Sequence, residues 1–309
     1  MIRKLKSKFF GQKNKVKIEG LKHKIGSIRK EHDSIVLFGS PTEGNWKGIA
    51  NATIGLFPSN ALEIPQSYSN SVLTEKETCE ICACLNEAQF EKVIISGFAP
   101  YFFNWIELLH PITIIEVIFH GTISEFHEEE KQQFISKLIQ LGQTKVIRRF
   151  GFVKEGLENV FSSLYGFETY HQPLAEPELP SEINKLELDR SKIHIGVFGA
   201  NTFNKNLHNQ VIYALMIENS IIHVLDKSVF HYLGMKERIV EHGKNLDRTQ
   251  FLSILGSMDL NLYMSFNESW GLVAYESEAM GVPCIGQGAI DYSKLINEKL
   301  INEDPSHHT

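Results

Sequence analysis

The sequence predicts an α/β protein of two domains, each built on a parallel sheet, facing each other across a cleft. Three observations predict it. From residue 34 onward, short apolar runs alternate with longer helical patterns, the rhythm of βα units. Several of those runs are apolar nearly throughout, as strands covered on both faces are. The stretch HQPLAEPELPSEINKLELDRS (171–191) carries three prolines and no sustained periodicity, and it divides the runs into two sets. The expected segments are a basic 1–33, a first domain 34–175 and a second domain 176–309. Parallel sheets take ligands at the carboxyl ends of their strands, so the gap between the domains is the expected site.

The elements follow in order. In the first domain, strands are expected at SIVLF (34–38), KVIIS (92–96), IIEVIF (114–119) and KVI (145–147), with helices over 123–140 and 154–164. In the second, strands are expected at IHIGVF (193–198), SIIHVL (220–225), LNLYM (260–264) and PCI (283–285). Helices over 206–219, 247–256 and 271–280 fall between them.

Composition narrows the function classes. With 42% hydrophobic and 22% charged residues in 309, the chain reads as globular and soluble. No run approaches the ~18 apolar residues of a membrane span, and no signal-peptide core opens the chain. Four cysteines make no disulfide scaffold, so a cytoplasmic, reducing setting is expected. The net charge of −6 hides an asymmetry: residues 1–33 hold eleven Lys/Arg against three acidic residues. An acidic body argues against nucleic acid as a partner. The basic leader fits an anionic membrane surface at the inner face, and equally a solvated arm.

Chemistry concentrates at ESWGLVAYESEAMGVP (268–283), where seven residues separate Glu268 from Glu276. Glu268 closes a short loop after strand 260–264, and helix 271–280 starts just beyond it. Its free amides near Ser269, Trp270, Gly271 and Leu272, and the positive end of its dipole, suit a phosphate. Gly271 lets backbone come close to a ligand. The two carboxylates would accept paired hydrogen bonds from sugar or ribose hydroxyls. Upstream, strand 193–198 runs into GANTFNKN (199–206), where Lys205 could neutralise a diphosphate.

These residues together resemble the donor-binding domain of retaining glycosyltransferases of the GT-B fold, the group marked by Glu-x7-Glu. The resemblance covers 193–290: Glu268 and Glu276 match the two glutamates, and Gly271, Ala279, Gly281 and Pro283 match the residues around them. Gly199 and Lys205 have the spacing of the family's Gly-Arg-x4-Lys segment. It implies two Rossmann-like domains, with Glu268 at the donor sugar, Glu276 on the ribose and Lys205 on the diphosphate. The chain departs from the pattern at Ala200, which stands where the family has Arg, and at Trp270, where a smaller residue or Phe is usual. Losing that cation from a desolvated diphosphate site would cost about 1.5–3 kcal/mol, which a cation such as Lys47 would have to offset. The family also continues with helices beyond the point matching Thr309.

In the first domain, FGSPTEGNWKG (38–48) follows a strand. Gly39 and Gly44 have Walker-A spacing, but Asn45 and Trp46 replace the required Lys-Ser/Thr, and no Gly-x-Gly-x-x-Gly marks a dinucleotide. The loop resembles the first-strand loop of GT-B enzymes, which implies a nucleotide-sugar role for Gly44 and Asn45; a plain surface turn reads as well. His120, at the end of strand 114–119, resembles the family's His-Gly histidine beside the donor sugar. An imidazole there could bond a hydroxyl or donate toward a departing phosphate. Cys79, Cys82 and Cys84 lack the four-ligand pattern of structural zinc, so packing explains them and no metal is expected.

The expectation is a hexosyltransferase-type glycosyltransferase with a UDP- or GDP-linked donor and no cofactor. Its acceptor would be a glycan, lipid-linked or protein group, in polysaccharide biosynthesis or a related pathway. Transfer would be metal-independent and retaining. A non-catalytic nucleotide-sugar-binding or scaffold protein, and a GT-B-type sugar-nucleotide epimerase, are the alternatives.

Overall fold

The computed structural model describes residues 18–40, 47–66, 73–110, 113–122, 129–174, 179–180 and 182–286. The chain forms two compact units, Met1–His120 with Glu128–Pro177, and Gly121–His127 with Glu178–Thr309. The main change of unit, between Pro177 and Glu178, falls within the proline-bearing stretch.

The first unit starts with a helix over residues 18–31 (α1). Ile18, Leu21 and Ile25 are buried beneath it, and Arg29 Nε donates to the Ala88 carbonyl at 2.9 Å. Of the two readings of the basic leader, the solvated arm does not hold over 18–31, where an apolar stripe packs α1 down. Residues 1–17 lie outside the described residues.

Then come β1 (Ser34–Gly39), α2 (Lys47–Leu56), β2 (Ala61–Ile64), α3 (Glu75–Ala88), β3 (Lys92–Ser96), α4 (Phe102–Leu109) and β4 (Ile114–Phe119). α5 (Glu129–Gln143), β5 (Arg149–Phe152), α6 (Leu157–Tyr165) and β6 (Thr169–His171) complete it. The six strands are parallel in the order β2-β1-β3-β4-β5-β6. Thr74 and Glu77 cap α3 reciprocally, which fixes its start.

The strand expected at KVI (145–147) is not one. Lys145 takes a left-handed φ of 60° in the turn after α5, and β5 forms at RFGF, where Phe150 and Phe152 are buried. Ile147 is buried as a turn residue, so its apolar character served the core and not a strand.

The second unit holds β7 (Ile193–Val197), α7 (Leu207–Met216), β8 (Ser220–Val224), β9 (Ile239–Glu241), α8 (Arg248–Leu255), β10 (Leu260–Tyr263), α9 (Leu272–Ala279) and β11 (Cys284–Gly286). Its sheet is parallel, ordered β11-β10-β7-β8-β9. β2, β6 and β9, of three or four residues each, were not expected from sequence. Ile195, Val197, Ile222, Val224 and Leu262 form the sheet's apolar core against Val211 and Ala214 of α7.

Each sheet has one place where strand order reverses: between β1 and β3 in the first unit, and between β7 and β10 in the second. In sheets of this kind a reversal at the strands' carboxyl ends is where ligands bind.

Candidate functional site

In the second unit two loops flank that reversal, residues 198–206 after β7 and 264–271 after β10. They are tied together by hydrogen bonds. Phe266 N donates to Asn204 O at 2.9 Å, Asn206 Nδ2 to Met264 O at 3.0 Å, and Met264 N to Gln210 Oε1 at 3.1 Å. Gln210 Nε2 returns to the Lys205 carbonyl at 2.7 Å.

Lys205 is not on the helix the sequence predicted to begin at 206. It ends a short 3₁₀ turn, Phe203–Lys205, and Asn206 at φ 52° separates that turn from α7. Asparagine tolerates this left-handed geometry, and its amide is anchored on the neighbouring loop. Gly199 makes room for the arrangement: a Cβ there would sit 3.1 Å from Leu207 and 3.7 Å from the Lys205 stem.

The stitching brings Lys205 onto Glu268. Lys205 Nζ lies 2.6 Å and 2.7 Å from the two carboxylate oxygens. Glu268 is buried, its side chain 8% exposed against 23% for Lys205. Tyr263, the last residue of β10, completes the group. Lys205 Nζ lies 5.9 Å from its ring centroid. Burial first, then the charge of Glu268, holds its phenol well above the usual range. Ser265, fully buried in the same loop, has an Oγ with no hydrogen-bond partner among the described residues.

Gly271 introduces α9 at φ 99°, a conformation that an L side chain would strain. No side chain caps the helix start, so its first amides keep their hydrogen-bonding capacity. Ser269, Trp270 and Leu272, beside it, are half-buried.

Glu276 lies further along α9 and is 2% exposed. Arg248, at the start of α8, donates from Nη1 to Glu276 Oε1 at 2.6 Å. Burial raises the Glu276 carboxyl, and Arg248 offsets part of that rise. The two glutamates thus have separate cations; both bear electrostatically on Tyr263.

In the first unit, His120 lies just past β4 and is 8% exposed. Its Nε2 lies 2.9 Å from Ser96 Oγ, and Ser96 Oγ lies 2.7 Å from Thr53 Oγ1. Burial pushes the imidazole down to about 4, so it is neutral near pH 7. Gly44 and Asn45 lie outside the described residues.

Cys79, Cys82, Cys84 and Cys284 are all free thiols, and burial pushes Cys82 and Cys284 up to about 12. Among the described residues no group of three or more His, Cys, Asp or Glu could hold a metal, and no helix is long and apolar enough to cross a membrane.

Sequence reasoning missed Arg248, Tyr263, Ser96 and Thr53. Tyr263 carried a signal, since it ends the expected strand 260–264 next to Glu268. The other three partners lie 24 to 67 residues away in sequence from the groups they serve, with no spacing to reveal them.

No protein-family profile matches the chain, and no curated protein matches it. Solved structures do. Anabaena HepE, solved in complex with UDP and glucose, is similar at TM-score 0.61 and 13% identity, over 86% of this chain and 83% of that one. Sucrose-phosphate synthase from Thermosynechococcus elongatus is similar at TM-score 0.60 and 11% identity, over 88% and 87%. WaaG, a glycosyltransferase of lipopolysaccharide biosynthesis, is similar at TM-score 0.55 and 11% identity, over 85% and 83%. With its two parallel-sheet units and these neighbours, the chain has the GT-B glycosyltransferase fold.

Proposed function

We propose that the chain transfers a hexose from a nucleoside-diphosphate sugar to a hydroxyl acceptor, with retention at the anomeric carbon and without a metal. One observation carries this reading. Lys205, Glu268 and the uncapped start of α9 occupy the strand-order reversal of the second unit, where such sheets take ligands.

A bound diphosphate would compete with Glu268 for the Lys205 ammonium and take up the first amides of α9. Glu268, partly released, would accept hydrogen bonds from the donor sugar's hydroxyls. Glu276, held by Arg248, would accept from the ribose. As the glycosidic bond to phosphate breaks, the leaving oxygen's charge would fall on Lys205 and the helix start, the preorganised stabilisation that lowers such barriers. This reading assigns no covalent nucleophile, so departure and attack would share one face of the sugar.

HepE's complex with UDP and glucose makes UDP the first donor nucleotide to try. The acceptor would be a glycan, lipid-linked or protein hydroxyl. Ala200 favours a second reading, binding without turnover, because it leaves Lys205 without the family's companion arginine.

The test is a donor panel (UDP-glucose, UDP-N-acetylglucosamine, GDP-mannose) incubated with the purified chain, following nucleotide release and the anomer formed. The expected result is release above the protein-free control, unchanged by EDTA, with α-configured product, and lost in Glu268→Gln. Binding without release would establish the second reading. Conversion of the sugar without an acceptor would establish an epimerase.

A further inference from the structure

The hydrogen-bond chain behind His120 has a direction that its geometry fixes. Thr53 Oγ1 lies 2.8 Å from the Ile49 carbonyl, which can only accept, so the Thr53 proton points there. Thr53 Oγ1 is then the acceptor in its 2.7 Å contact with Ser96 Oγ, and the Ser96 proton is committed to it. Ser96 has no second proton, so in the 2.9 Å contact with His120 the ring must donate from Nε2. Any other assignment sets two lone pairs, or two hydrogens, against each other in a buried site.

Thr53 and Ser96 are fully buried, so water offers them no alternative partner. Their hydrogen bonds are short and come from three separate elements: α2, β3 and the residue after β4. A neutral imidazole with its proton on Nε2 leaves Nδ1 bare. That nitrogen bonds no described residue and is not among the buried polar atoms lacking a partner, so it is not sealed in the interior.

We propose that Thr53 and Ser96 are positioning residues that lock His120 as an acceptor at Nδ1, so that the group it meets is a hydroxyl donor and not an anionic oxygen. The assignment rests on the sugar-transfer reading only for the class of that hydroxyl, a carbohydrate one. A bare ring nitrogen would repel a phosphate oxygen, which has no proton to share. His120 therefore suits a hydroxyl and not a phosphate oxygen.

The test uses the full chain with ring-¹⁵N histidine near neutral pH, the His120 signals being identified by their loss in His120→Gln. The expected wild-type signature is a protonated Nε2 and a bare Nδ1, retained in Thr53→Ser. Thr53→Val removes the acceptor for the Ser96 proton, which is then expected to turn to Nε2 and invert the tautomer to Nδ1–H. Ser96→Ala leaves Nε2 without its partner, and a mixture of tautomers is expected. Should Thr53→Val fail to fold, Ser96→Ala carries the same comparison. A wild-type Nδ1–H signature, or no change in these variants, overturns the proposal. The expected signatures in a chain that turns over no sugar nucleotide would overturn the transfer reading and leave the locked tautomer intact.

Discussion

The two units solve one physical problem in opposite ways. In the second unit, a buried carboxylate is satisfied by a bidentate ammonium at 2.6 and 2.7 Å, and a second by an arginine at 2.6 Å. In the first unit, a buried imidazole loses its charge and is satisfied by two hydroxyls in series. Ion pairs keep charge in place at high desolvation cost, and a ligand of matching charge can exchange into them. A neutral relay holds no charge to exchange; what it fixes is which atom carries a proton. On the proposed reading, this difference would suit the second unit to an anion and the first to a neutral group.

The largest expected effects come from the charged side of this comparison and from titration. Acidification breaks the neutral arrangements. His120 sits at about 4 and His223 at about 3, both lowered mainly by burial, against 6.5 unfolded. The unfolded chain then binds more protons between those values. Stability contributed above pH 6.5 is lost as pH falls through 6.5 toward 4, about 3 kcal/mol for His120 alone. Glu276, whose carboxyl is raised, works in the opposite direction and softens the loss. Urea unfolding at stepped pH checks it; a midpoint flat from pH 7 to 4.5 would contradict the burial of these rings as neutral groups.

Next, Lys205→Met strands the Glu268 carboxylate. A loss of about 3 kcal/mol is expected, much of it recovered in the double variant with Glu268→Leu, since the cost lies in an unpaired buried charge. Additive losses in that double-variant cycle would dissolve the pair as an energetic unit. Arg248→Met should act likewise on Glu276 at about 2 kcal/mol, Arg248 being more exposed than Lys205. Glu276→Gln in that background should recover part of the loss.

The smallest effect sharpens the contrast from the neutral side. Thr53→Val removes one hydroxyl of the relay and should cost about 1 kcal/mol, because no charge is stranded. A loss as large as that of Lys205→Met would mean the first unit's relay carries the same electrostatic weight as the ion pairs.

How far the sequence reached follows the same division. The two parallel sheets were legible because IIEVIF and IHIGVF are apolar nearly throughout, Glu116 and His194 excepted, as buried strands are. Strands of three or four residues, such as IVE at β9, carry too few positions for a period to register. Glu268 and Lys205 could be singled out because they lie in loops after strands, and Glu276 by its seven-residue spacing from Glu268. Their partners could not. That Lys205 grips Glu268 depends on Asn206 taking a left-handed turn and on loops joined through Gln210 and Met264. Such closure is a tertiary fact, written in no short window of sequence.

The central claim is that the second unit holds a nucleoside diphosphate at Lys205 and the start of α9, with Glu276 alongside. Thermal unfolding with saturating UDP in EDTA tests it most directly. A ligand at a hundred times its Kd adds about 2.7 kcal/mol, which raises the melting temperature by several degrees. That rise is expected in the wild type and is expected to shrink sharply in Glu276→Ala and Lys205→Met. No rise with UDP, GDP or ADP, or a rise left intact by both substitutions, would contradict the account.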